Sequence, residues 1–171
     1  MLERLLSIWS RIETVLIGTL VLCALFTFMG GAALRVLAPQ HAVDWADEVA
    51  LYFIVWATAL GGSVLAAEGR HINTEILVTG LPPHLRRAAV LFTGALTLAF
   101  CAAMFWFGWE AFEFSKMLDD RSASSLRTPQ AWTLFLALPV GMGLMALRIV
   151  LLAIVGRGIT TAAEALPGKV E

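Results

Sequence analysis

Residues 15–36 read VLIGTLVLCALFTFMGGAALRV, a run in which Arg35 is the only charged side chain. An α-helix rises about 1.5 Å per residue, so about 20 apolar residues cross the roughly 30 Å of hydrocarbon in a bilayer. Three further stretches meet that length, at 49–67, 88–109 and 131–155. The sequence therefore predicts an all-α integral membrane protein, in which one domain over residues 1–171 is a bundle of four transmembrane helices.

The composition agrees with a membrane protein and excludes two other classes. Of the 171 residues, 59% are hydrophobic and only 15% are charged, which is unusual for a soluble domain. Twelve Lys and Arg against thirteen Asp and Glu leave no basic excess for a nucleic-acid partner. Cys23 and Cys101 lie inside apolar runs, so neither a disulfide framework nor a zinc site is expected.

The flanks of the spans predict where polar groups meet the membrane surface. Leucines 2, 5 and 6 share a helical face with Trp9 and Ile12, which indicates a short N-terminal interfacial helix. Glu13 follows it, near the predicted end of the first span, where water and headgroups would satisfy its charge. Arg148 lies close enough to the end of the fourth span to extend its side chain to the headgroups.

Helix-start signals precede the second and fourth spans. Asp44 is expected to cap the second helix, with Asp47 and Glu48 in its first turn, where carboxylates favour the helix dipole. Thr128 is expected to cap the fourth helix, with Pro129 at its first position, where a missing N–H costs nothing.

The distribution of Lys and Arg predicts the orientation, because cytoplasmic segments are enriched in both. With both termini inside, the cytoplasmic segments hold eight: Arg4, Arg11, Arg70, Arg86, Arg87, Arg148, Arg157 and Lys169. The opposite side holds four: Arg35, Lys116, Arg121 and Arg127. We therefore expect a multi-pass protein with both termini in the cytoplasm.

Residues that could carry catalysis or autonomous transport are not found in the sequence pattern. No nucleophile with a base, no phosphate-binding loop and no carboxylate in the middle of a span is predicted, and His41, His71 and His84 fall in loops or at helix ends. No catalytic, cofactor-binding or metal-binding residue is expected. Small-residue pairs at 30–31, 61–62 and 141–143 favour close helix packing, and Trp56 is expected to be a packing anchor. Such a chain is typical of a subunit.

A specific pattern of residues begins at the second helix. Its members are Trp45, Asp47, Glu48, Trp56, Gly61, Arg70, His71, Ile72 and Glu75. It resembles the signature of the small membrane subunit of tripartite ATP-independent periplasmic (TRAP) transporters, the DctQ-like family, although Glu75 stands where Asp is commoner. Looser matches continue with Arg35, Pro129, Trp132, Pro139, Gly141 and Arg148. These residues, with Gly62, are the candidates for subunit-interface or structural roles.

The resemblance implies a function in the bacterial inner membrane. It implies sodium-driven import of an organic solute, such as an organic or sugar acid, with a periplasmic solute-binding protein and a large membrane subunit. The sodium sites are expected on the large subunit, which should be a separate chain, and no cofactor is expected here. Asp47 and Glu48 would contact a partner or only complement the helix dipole, and Arg70 and His71 would pair locally with Glu68 and Glu75. The alternative is a membrane anchor of a respiratory or other enzyme complex.

Overall fold

The computed structural model describes residues 2–67 and 83–155. Its long helices are α1 (Leu2–Leu37), α2 (Ala46–Ala67), α3 (Pro83–Met117) and α4 (Ala137–Val155). A 3₁₀ turn, Pro39–His41, follows α1, and a π-helical turn, Ala131–Phe135, leads into α4. Four segments are long and apolar enough to cross a membrane, at Ile8–Leu37, Ala46–Leu65, Leu91–Met117 and Ala131–Ile154. The prediction of an all-α, four-span membrane protein is confirmed.

Two helices are longer than the apolar runs that predict them. The expected interfacial stretch and the first span form one uninterrupted helix of 36 residues, about 54 Å at 1.5 Å per residue. Likewise α3 continues beyond residue 109 to Met117. The indoles of Trp106 and Trp109, at the end of the predicted span, donate hydrogen bonds to the carboxylates of Glu110 and Glu113 in the extension, one turn further on. The carboxylates near the end of the span are thereby partnered along the helix surface.

The order of the helices in space differs from their order in the chain. Helix α2 packs between α1 and α4, and α4 packs between α2 and α3, so the spatial order is α1, α2, α4, α3. The outer helices are therefore the least covered: within an 18-residue window of each span, 11% of the residues are buried in α1 and α3, against 28% in the fourth span. Their large apolar side chains face outward, as expected for a surface that meets lipid or another subunit.

Each contact between neighbouring helices contains a glycine. On α1, a Cβ on Gly31 would overlap the Ala46 side chain of α2. A Cβ on Gly141 of α4 would lie 2.6 Å from the Ala59 carbonyl oxygen of α2, and one on Gly108 of α3 would lie 3.0 Å from Pro139 Cδ. Absence of a side chain at these positions lets the backbones approach closely. The sequence predicts Gly31 and Gly141 as packing residues but does not identify Gly108.

The π-helical turn and Pro139 belong to one local arrangement. Pro139 has no N–H and cannot complete the regular helical bond to the residue four positions earlier. The preceding turn is wider, and the Leu136 N–H donates to the Ala131 carbonyl oxygen, five residues back, at 3.0 Å. Trp56 of α2 donates its indole N–H to the Thr133 carbonyl oxygen inside this turn, at 2.9 Å. A side chain from the neighbouring helix thus partners a backbone group of the irregular segment.

Candidate functional site

Three helices bring charged and polar groups together inside the bundle. The Arg148 guanidinium of α4 forms an ion pair with the Glu13 carboxylate of α1, and the two residues are 1% and 5% exposed. Ser63 of α2 donates its hydroxyl to the second oxygen of Glu13 at 3.0 Å. The same guanidinium nitrogen lies 3.4 Å from the Ser63 carbonyl oxygen, and the group lies 5.7 Å from the centre of the Trp9 ring. We call Glu13, Ser63 and Arg148 the internal polar cluster.

The internal polar cluster corrects two predictions. Arg148 does not extend to the headgroups, and Glu13 is not satisfied by water at a helix end, because each is buried and is the other's partner. A buried charge needs an opposite charge and hydrogen bonds to offset its lost hydration. Glu13 stands early in α1, while Ser63 and Arg148 stand late in α2 and α4, and the alternating helix directions place all three at one depth.

The chemistry of the internal polar cluster is that of a closed neutral unit. Both Glu13 oxygens accept hydrogen bonds, and the guanidinium is paired with a carboxylate and covered by an indole face. Because its two charges are paired with each other and both carboxylate oxygens are bonded within the chain, the cluster holds α1, α2 and α4 together rather than offering an open site for an ion. Ser63 has no charge or motif that singles it out in the sequence.

At the opposite end of the bundle, Glu48 ties α2 to the segment that joins α3 and α4. Its carboxylate accepts hydrogen bonds from the hydroxyls of Tyr52, Ser122 and Thr128. Ser122 is buried although it belongs to a connecting segment. Glu48, a candidate interface residue from the sequence, therefore makes its hydrogen bonds within this chain.

Both residues predicted as helix caps instead bind across the bundle. The Asp44 carboxylate accepts hydrogen bonds from the Ser125 hydroxyl at 2.6 Å and the Ser125 N–H at 2.9 Å. The Thr128 hydroxyl bonds to Glu48, and the turn that opens the fourth span has no side-chain cap. The bonds from Ser125 hold the pKa of Asp44 below its ordinary value. At pH values above the ordinary pKa of an aspartate, these bonds therefore stabilise the fold. Their contribution is lost as the pH falls through the lowered pKa of Asp44.

The other sequence candidates within the described residues lie apart from one another. Arg35 pairs with Asp47, both half exposed, and joins the end of α1 to the start of α2. Trp132 is exposed on one side and meets the Phe112 ring edge-on, with centroids 5.1 Å apart, while the Lys116 ammonium lies 5.9 Å from the Trp132 ring centre. Pro129 pairs with Arg121 in an isolated antiparallel bridge.

Three candidate residues at or near the second helix lie in different surroundings. Trp45 is half buried just before α2, and Gly62 faces the Met145 sulfur, 3.6 Å from an ideal Cβ. Apart from its own helix, no atom of the described residues lies within 4 Å of the corresponding position at Gly61, so that glycine faces away from the described part of this chain. Arg70, His71 and Glu75 lie outside the described residues.

Fold and site together define a class of protein. Residues 2–67 and 83–155 contain no group of three or more His, Cys, Asp or Glu that could hold a metal ion. The polar contacts described above join helices of one chain, as in a multi-pass membrane protein whose ionisable groups maintain its architecture.

The particular family follows from comparison with known proteins. The family model described as "Tripartite ATP-independent periplasmic transporters, DctQ component" matches residues 24–157, and the chain belongs to this family. The resemblance inferred from the sequence is thereby confirmed. A comparison with curated individual proteins found no match. The chain is a component of a tripartite transport system, and this assignment favours the transporter over the enzyme anchor.

Proposed function

We propose that this chain is the stationary scaffold subunit of a secondary transporter in the bacterial inner membrane. The transporter imports an organic or sugar acid with a sodium gradient. A large membrane subunit, encoded as a separate chain, carries the sodium and cargo sites, and a periplasmic binding protein delivers the cargo. The small subunit enlarges the fixed frame beside which the transporting domain moves.

The observation that carries the scaffold proposal is the internal polar cluster. It fixes α1, α2 and α4 in one arrangement, and it pairs two charges that would otherwise be available inside the span. Coupling to a sodium gradient needs ion ligands in the membrane, commonly at broken helices. A rigid bundle that uses Glu13 and Arg148 internally is suited to support, and ion coupling then falls to the partner.

In this proposal both termini face the cytoplasm and the 118–130 segment faces the periplasm. Arg148 is buried and paired, so it no longer counts among the surface charges that set orientation. Without it, seven Lys and Arg lie on the cytoplasmic side and four on the periplasmic side, so the excess remains cytoplasmic. The burial of Arg148 therefore leaves the argument for this orientation in place.

A stripe on α2 is the surface that we assign to the large subunit. Residues 51, 54, 58, 61 and 65 recur every three or four positions along one helical face, and they are Leu, Ile, Thr, Gly and Leu. The three large apolar side chains are each about half exposed, at 49–51%. Gly61 has no side chain, so it leaves a depression in the middle of this α2 stripe. A partner helix can approach closely there, because small residues allow close packing in membranes.

Co-purification tests this assignment. A tagged large subunit is expected to recover several-fold less of the Gly61→Leu variant than of the parent, because the new side chain would overlap the partner helix. Gly94→Leu on α3 is the matched control, since no atom of another described segment lies within 4 Å of an ideal Cβ there either. It should assemble like the parent.

The isolated variants separate assembly from folding. Leucine is about 1 kcal/mol more favourable than glycine in a helix, so neither change should lower the stability of the subunit alone. Recovery of Gly61→Leu at the parental level would show that the α2 stripe is not the subunit interface. Equal loss with both variants would also contradict the assignment.

A further inference from the structure

A cleft of about 840 Å³ opens where the third and fourth spans meet the 118–130 segment. Its apolar wall comes from the last turns of α3 and the start of the fourth span, with Ala111, Phe114 and Phe135. Its charged wall comes from the connecting segment, with Asp120 and Arg127 among its residues. The lining therefore changes from apolar to charged along the same direction as the membrane changes from hydrocarbon to headgroups.

A buried hydroxyl in the wall of the cleft lacks a hydrogen-bond partner in the described part of the chain. Ser115 is 4% exposed, and its Oγ is bonded to no group there. Other hydroxyls on these helices, such as those of Thr58 and Thr97, donate to the carbonyl four residues earlier at 2.8 Å. A buried polar group without a partner is costly. An occupant of the cleft with a polar atom at this depth would remove that cost.

The charges on the wall are balanced, but they are not all paired. Arg121 donates two hydrogen bonds of 3.0 Å to the Asp119 carboxylate, and these bonds lower the pKa of Asp119. Arg127 and Asp120 form no ion pair with another described residue. One cation and one carboxylate thus remain to meet an occupant that carries both charges.

We propose that this cleft binds one phospholipid with a zwitterionic headgroup that includes a primary ammonium. Its phosphate diester meets Arg127, its ammonium meets Asp120, and an acyl chain lies along Phe114 and Phe135. The glycerol ester region is at the depth of Ser115. Free phosphate would meet Arg127 alone and leave the apolar wall uncovered, while a net anionic lipid would pair with Arg127 but leave Asp120 without a cation.

Native mass spectrometry of the full chain in mild detergent tests the proposal. After removal of lipid, the protein is titrated separately with phosphatidylethanolamine, phosphatidylglycerol and inorganic phosphate. The first lipid should bind tightest, and phosphate should not compete with it. Arg127→Ala should weaken binding of phosphatidylethanolamine about tenfold or more, as expected for loss of one charge-assisted hydrogen bond.

Two further variants make the result specific to the cleft. Lys116→Ala removes a cation at the same end of α3 that does not line the cleft, and it should bind lipid like the parent. Ser115→Ala should weaken binding a few-fold, yet it should stabilise the lipid-free protein because it removes the unpaired hydroxyl.

Several outcomes would overturn the proposal. They are unchanged binding by Arg127→Ala, equal loss with Lys116→Ala, or preference for phosphatidylglycerol over phosphatidylethanolamine. A cross-link between position 114 and the large subunit, together with loss of bound lipid from the complex, would assign the cleft to a protein partner. That result would also contradict the proposal.

Discussion

Replacement of Arg148 by methionine tests the internal polar cluster most severely. Methionine, like arginine, has a long unbranched side chain, but it lacks the cation that faces Glu13. The carboxylate is then left 5% exposed, with the Ser63 hydroxyl as its remaining partner in the described structure. We expect the free energy of unfolding to fall by about 3–5 kcal/mol, the usual cost of breaking a buried ion pair from one side.

The magnitude separates this interaction from ordinary membrane hydrogen bonds, which average about 0.6 kcal/mol. A loss of about 3 kcal/mol changes the unfolding equilibrium by more than a hundredfold. The assay is denaturation of the purified chain in detergent, followed by tryptophan fluorescence. Arg35→Met is the matched control, because the Arg35–Asp47 pair is about half exposed and should cost at most about 1 kcal/mol.

A double-mutant cycle completes the test. Glu13→Gln combined with Arg148→Met removes both charges. The double variant should therefore lose much less unfolding free energy than the sum of the losses in the two single variants. Two results would refute the claim that the buried charges depend on each other. One is an equally small loss of unfolding free energy for Arg148→Met and Arg35→Met, and the other is strict additivity in the cycle.

Three further predictions concern topology and packing. In a background without the native cysteines, a cysteine in place of the exposed Ala123 should react with an impermeant maleimide in intact cells. A cysteine in place of His84 should not react. Equal or reversed labelling would contradict the orientation. Gly141→Ala should destabilise the isolated chain by about 1–3 kcal/mol in detergent denaturation, since its Cβ meets the α2 backbone, whereas Gly94→Ala should not. Trp56→Phe should cost about 1 kcal/mol in the same assay through loss of its indole hydrogen bond, and unchanged stability would show that this bond contributes nothing.

The existence of the four spans could be predicted from the sequence because each apolar run matches the thickness of a bilayer. Their ends could not, because hydrophobicity reports depth in the membrane and a helix continues wherever its backbone bonds can. Helix α3 thus extends eight residues beyond the predicted span, with Glu113 and Lys116 in the extension.

The polar contacts were harder to predict because they depend on which helices are neighbours. Asp44 and Thr128 carry good local cap signals, yet each binds a group about 80 positions away in the chain. Glu13 and Arg148 are 135 residues apart. A usable signal exists: opposite charges near the same membrane face, on helices of opposite direction, are candidates for an ion pair. Their burial depends on the spatial order of the helices, which composition does not report.

Reconstitution of transport is the most direct test of the scaffold role. Liposomes that contain this subunit alone, the large subunit alone or both are supplied with binding protein, labelled cargo and an inward sodium gradient. Only liposomes with both subunits should accumulate label. Uptake by this subunit alone, or full uptake by the large subunit alone, would contradict the account.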